Sequence, residues 1–140
     1  MNIKVPFIEN SIFSTVIEVR IGDINYGNHL GHDSVVSFLH EARVRFLKKL
    51  GYSELDIEGY GILVTNLIIN YLNEAFYFDK ILIKIGLGEV KRTSINLIYN
   101  AMIRETDKEV ANAITTITFY DFTEQKVTRV PKGFLTSVGL

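Results

Sequence analysis

The chain of 140 residues contains no cysteine, and that absence removes several classes of chemistry at once. There is no disulfide framework, no thiolate nucleophile and no cysteine-based metal site. Charge is also nearly balanced: the formal net charge of −1 gives no basic footprint, and nucleic acid is not an expected partner. The longest apolar runs fall far short of a bilayer span, so no membrane-spanning segment is expected. The lead MNIKVPFIENSIF lacks the sustained apolar stretch and small-residue cleavage site of a signal peptide, and the expected location is cytoplasmic. No internal repeat, linker or low-complexity segment divides the chain, which reads as one domain over 1–140, large enough to bury a core.

What is present is organised around one stretch. Val35, Leu39, Ala42, Phe46 and Leu50 recur at spacings of three and four, and Phe38 and Leu47 widen the stripe. That is the period of a helix with a broad buried face. Asp33 or Ser34 is the expected cap at its start, Lys48 and Lys49 suit the negative end of its dipole, and Gly51 is the expected stop. In front of it, GDINYGNHLGHD packs two Asp, two Asn, two His and three Gly into a dozen residues. Such a loop brings polar groups to a helix N-terminus, a place suited to developing negative charge.

The rest reads as sheet. SIFSTVIEVRI alternates, with Phe13, Thr15, Ile17, Val19 and Ile21 on one side. After a turn-rich connection, ILVTNLIINYLNEAF reads as a strand buried on both faces along part of its length. FDKILIKIGLGEV sets Ile81, Ile83 and Ile85 opposite Leu82 and Lys84, and its Gly86 and Gly88 suggest a bend or bulge. TSINLIYNAMIRE and VANAITTITFYDF are the fourth and fifth strands, followed by a short extended end at Pro131. A long antiparallel sheet with one apolar helix as its only cover should wrap around that helix. Its open edges and incomplete cover point to pairing with a second copy, a homodimer with a further pairing into a homotetramer.

Arg20, the run Gly22, Asp23, Ile24 and Asn25, the run His29, Leu30, Gly31 and His32, and the triplet Glu41, Ala42 and Arg43 stand in a particular order and spacing. Together with NYLNEAFYFDKILIKI, EVKRTSI and TFYDFTEQKVTRVP, they resemble the hotdog-fold acyl-CoA thioesterases, in particular the 4-hydroxybenzoyl-CoA thioesterase-like group. The resemblance covers nearly the whole chain. It implies an α+β hotdog fold, a long antiparallel β-sheet wrapped around one central α-helix. It also implies hydrolysis of an acyl-CoA or acyl-carrier-protein thioester to free acid and thiol, with no cofactor other than the coenzyme A of the substrate, and no metal. Two other activities of the fold remain open, a non-catalytic acyl-CoA-binding protein and an acyl-thioester hydratase or dehydratase.

Thioester hydrolysis needs an activated water or a carboxylate nucleophile, and donors for the oxyanion. Where the resembled group carries its catalytic aspartate, this chain has Asn25, which is neither base nor nucleophile. Asn25 either holds a water or the carbonyl oxygen, or satisfies loop backbone. Asp23 either supplies the missing carboxylate or ties the loop to nearby N–H groups, the second being favoured. His29 matches a histidine used for catalysis in related acyl-ACP thioesterases, and either deprotonates water or fixes the loop. His32 joins the catalytic candidates at the helix start, where the backbone N–H near Gly31 and His32 is the expected oxyanion donor. Glu41, expected to be partly buried, is either a base of raised pKa or the partner of Arg43, Arg20 or a backbone donor, the second being favoured. Lys91 and Arg92 match the basic positions that meet the phosphates of coenzyme A, and two adjacent cations with the hydroxyls of Thr93 and Ser94 suit that role; the alternative is a solvated strand end.

Overall fold

The computed structural model describes residues 3–140. Strand β1 (Phe13–Glu18) leads through a short 3₁₀ turn (Ile21–Asp23) and the polar loop into α1 (His32–Lys49). Strands β2 (Gly61–Tyr71), β3 (Lys80–Val90), β4 (Ser94–Ile103) and β5 (Lys108–Asp121) follow, then the short β6 (Lys126–Val127) and α2 (Lys132–Ser137). The sheet runs in the order β1-β3-β4-β5-β2, antiparallel throughout, with β6 paired to β5. This is the expected α+β arrangement of a long antiparallel sheet around one long helix.

The period-two pattern sets which face is covered. Ile81, Ile83 and Ile85 on β3, and Ile95, Leu97 and Tyr99 on β4, are at most 1% exposed and face the helix. Val35, Phe38, Leu39, Ala42, Phe46 and Leu47 of α1 fill the other side of the same core. Each such large apolar side chain contributes roughly 1.5–3 kcal/mol by leaving water. The register of β3 against β4 shifts between Leu87 and Val90, where the two glycines foretell an irregularity. At Gly86 a Cβ would stand 2.8 Å from Ile8 Cγ2, so the lead segment crosses the outer face of the sheet only because that position is bare.

Arg43, in the middle of the apolar face of α1, is buried and paired. Its Nε donates to Glu54 Oε2 at 2.8 Å and its Nη1 to the Tyr99 hydroxyl at 3.4 Å, which is 2.8 Å from Thr115 Oγ1. His40 Nε2 closes the chain at 2.6 Å from Glu54 Oε1. A buried guanidinium is tolerable only with its donors occupied in this way.

Several local expectations give way to tertiary context. The helix is capped by Gly31 with no side-chain hydrogen bond, and Asp33 lies one residue inside its first turn instead of capping it. Its end is as expected: Gly51 has φ +88°, and N–H groups of Gly51 and Tyr52 donate to Lys48 O and Leu47 O at 3.0 and 2.8 Å. Ile21 is exposed, not inward, because β1 stops at Glu18 and the 3₁₀ turn rotates it out. Among the described residues strand β2 is an edge strand paired only to β5, so Leu63, Val64 and Leu67 are 38–46% exposed where burial on both faces along part of the length was expected. The extended end after Pro131 is the helix α2, whose Phe134 is buried with its ring centroid 5.4 Å from that of Phe119.

Candidate active site

The polar loop is held in a fixed shape by its own backbone and by two side chains. Asp23 Oδ2 accepts the N–H of Arg20 at 2.8 Å and its Nε at 3.3 Å, while the Asp23 carbonyl accepts the N–H of Gly31 at 3.0 Å. Asp23 therefore clasps both ends of the loop, with its carboxylate turned toward Arg20. Asn25 Oδ1 accepts the N–H of Gly27 at 2.9 Å and of His29 at 3.4 Å. Its Nδ2 has no partner among the described residues, so the amide leaves two donors free.

His29 is oriented by a carbonyl. Its Nδ1 lies 3.1 Å from Leu30 O, and because a carbonyl only accepts, Nδ1 carries the proton in that bond. The neutral ring then has its lone pair on Nε2. A Cβ on Gly27 would stand 3.4 Å from both Asn25 Oδ1 and His29 Nε2, so the two side chains converge over that bare position.

Leu30 N–H donates to Ala75 O at 2.8 Å, which brings the loop against the segment leaving β2. Between them, and under the start of α1, lies a pocket of about 270 Å³. Asn25, His29 and His32 line it, with Leu30, Val35, Leu72, Ala75 and Val110 as apolar wall and Tyr71, Asn73 and Glu74 from the far side. The Tyr71 hydroxyl donates to His32 O at 2.9 Å, and the two rings meet edge-on at 6.3 Å. Burial, with the Asp33 charge behind it, pushes the Tyr71 hydroxyl above its ordinary pKa, so it remains a donor. At the helix start, the N–H of Gly31 is already taken by Asp23. Those of His32, Asp33 and Ser34 have no partner among the described residues and are the free donors there.

The structure thus brings Asn25, His29 and His32 together and leaves the other sequence candidates elsewhere. Glu41 is on a different face of α1, half exposed, paired with Arg45 at 2.8 Å and not with Arg43 or Arg20. The expected burial of Glu41 is not met, because the turn of the helix that buries Ala42 and Arg43 points residue 41 outward. Lys91 and Arg92 line a separate cleft of about 590 Å³ with Tyr60, Arg129 and Lys132, and Ser94 does not reach it. Sequence reasoning missed Tyr71, Asn73 and Glu74. The one local signal, for Asn73 and Glu74, was a polar pair set between Leu72 and the stretch Ala75 to Phe78. Among the described residues no group of three or more His, Asp or Glu is placed to hold a metal, and no helix is long and apolar enough to cross a membrane.

An antiparallel sheet wrapped on one helix, with a polar loop opening into a pocket at the helix N-terminus, is the hotdog architecture of thioesterases. The chain belongs to the thioesterase-like superfamily, whose pattern matches residues 19–138. The 1,4-dihydroxy-2-naphthoyl-CoA thioesterase of Synechocystis superposes with a TM-score of 0.82 at 17% identity, over 90% of this chain and 94% of that one. A putative thioesterase from Pseudomonas aeruginosa gives 0.84 at 20% identity, over 93% and 100%. The DHNA-CoA thioesterase of Staphylococcus aureus gives 0.76 at 23% identity, over 88% and 83%. No curated protein matches the chain in sequence.

Proposed function

We propose that the protein hydrolyses the thioester of an acyl-CoA, or of an acyl group on a carrier protein, to free acid and thiol. The observation that carries this reading is the His29 tautomer: with Nδ1–H given to the Leu30 carbonyl, the Nε2 lone pair is free in a pocket with apolar walls. In the reaction, a water gives its proton to His29 Nε2 while its oxygen attacks the thioester carbonyl carbon. The charge that develops on the carbonyl oxygen is met by Asn25 Nδ2 and by free N–H groups of His32 to Ser34. Collapse of the tetrahedral intermediate breaks the C–S bond, and the imidazolium returns its proton to the departing thiolate.

Two further features support an acyl-CoA. Four cations, Lys91, Arg92, Arg129 and Lys132, line one cleft, a setting suited to the nucleotide phosphates. The open edge of β2 carries Tyr71 into the pocket at its end, so a second copy paired along that edge would border the site. The replacement of the usual carboxylate by Asn25 favours one competing reading, an acyl-CoA-binding protein without turnover.

A panel of acyl-CoAs read by free-thiol release decides between them. Thiol release by the wild type, reduced about 10²–10⁴-fold in His29→Ala with a flattened acid limb of the pH profile, is the expected result. Saturable binding without thiol release would establish the binding protein instead. A His29→Ala protein with near-normal turnover and an unaltered profile would remove His29 as the base.

A further inference from the structure

Strand β5 breaks its own alternation at one residue. From Ala111 to Phe119 its odd-numbered residues are buried and its even-numbered ones half-buried. Val110 is out of phase with that pattern, yet it is 3% exposed beside Ala111 at 1%. The ladder with β4 shows the cause. Ala111 pairs with Ala101 and Glu109 with Met102, so Val110 is one extra residue on β5, a β-bulge. On its other side, the Val110 carbonyl accepts the N–H of Leu72 at 2.9 Å and of Asn73 at 3.4 Å. The bulge turns one additional apolar side chain inward, and the chain leaving β2 fixes it there.

That side chain lines the pocket of Asn25 and His29. The lining is graded in exposure. Leu30, Val35, Ala75 and Val110 are buried and form an apolar floor. Asn25 and His29 are half-buried above it, whereas His32, Asn73 and Glu74 are exposed at the mouth. A thioester with its carbonyl carbon beside His29 therefore sends its thiol arm to the mouth and its acyl end to the floor. A charged or hydroxylated acyl end would lose its hydration there without gaining a partner.

We propose that Val110 is a specificity-determining residue, the stop that sets the length of an uncharged acyl group. The inference rests on the reading of this pocket as an acyl-thioester site. Leu30, Val35 and Ala75 are brought inward by the loop, the helix and a backbone bond that hold the fold together. Val110 is inward only through the bulge, an irregularity the sheet itself does not need. A pocket of about 270 Å³ has room for roughly nine atoms of water size, at about 30 Å³ each. Once the thioester carbon, oxygen and sulfur and the attacking water are placed, the acyl group is limited to about six carbons with its carbonyl.

The test measures binding of S-alkyl coenzyme A thioethers, butyl to decyl, which cannot be hydrolysed, with thiol release from the matching acyl-CoAs in parallel. In wild type, affinity should rise about fourfold per methylene as far as hexyl and then level off. Val110→Ala vacates two methyl groups and should extend the rise to octyl, tightening S-octyl coenzyme A about tenfold. Val110→Ile adds a methylene and should weaken S-hexyl coenzyme A about fourfold while sparing S-butyl. Each comparison is between chain lengths within one protein, so a loss of stability alone leaves the break point where it was. If Val110→Ala does not fold, the Val110→Ile series decides. A break point that stays at hexyl in the variants overturns the inference, as does a wild type that binds none of the thioethers or still gains affinity at decyl. A break point that moves in a protein releasing no thiol sinks the hydrolase reading and leaves Val110 as the stop.

Discussion

On the proposed mechanism Asn25 has two different jobs at its two amide atoms, and they can be separated. Oδ1 shapes the loop by accepting from Gly27 and His29, whereas Nδ2 is free to donate into the pocket. An aspartate keeps the acceptor and loses the donor. Asn25→Asp should therefore fold with a melting temperature close to wild type, yet lose about 10²-fold in turnover, the usual cost of one oxyanion donor. Asn25→Ala should lose the donor and the loop contacts together, lowering stability as well. Thiol release that rises in Asn25→Asp would show that a carboxylate at this position attacks or activates water, and that the amide donor is dispensable.

The helix α1 is joined to the turn after it and to β4 by the network of buried Arg43 and Tyr99 with the half-buried Glu54. Burial by itself would raise the Glu54 pKa, but the hydrogen bonds from Arg43 and His40 outweigh it and hold the carboxyl below its ordinary value. A carboxylate depressed on folding contributes stability above its unfolded pKa, and that contribution is lost as pH falls through the folded value. Wild type should thus lose stability steeply in the acid range. Glu54→Gln should be less stable by roughly 3 kcal/mol near neutrality, because Arg43 is left buried without its counter-charge. Its stability should also depend less on acid pH. Denaturant titrations of both proteins across the acid range would check this, and parallel curves would mean the pair carries no pH-linked stability.

For the whole molecule, the free edge of β2 is the surface along which a second copy would pair. Leu63, Val64 and Leu67 are half-exposed on a strand of eleven residues whose far side has no strand neighbour among the described residues, an arrangement that invites pairing. A homodimer along β2 is the expected state in sedimentation at micromolar concentration. Leu67→Lys, which places a charge on that edge, should yield the 15.9 kDa single chain. A wild type that sediments only as the single chain would remove the dimer. Much of this frame was legible beforehand, because the alternation in β3 and β4 and the stripe of α1 are local patterns imposed by one buried face. The contiguous loop from Gly22 to Asp33 was legible for the same reason, and so was the glycine stop at Gly51. Other features depended on contacts between segments far apart in the chain. Glu41 could be told from Arg43 as the outward residue only once the helix had docked on the sheet. Asp33 lost the cap to Gly31 because Asp23 holds the loop there. Six residues around Phe134 became helical where a pocket of aromatic side chains received them. Above all, Glu74 met His29's pocket only through the Leu30–Ala75 hydrogen bond, which no spacing in the sequence encodes. Local periodicity determined the elements and the polar loop; long-range backbone pairing decided which side chains share the pocket, since a hydrogen bond between distant segments leaves no periodic trace.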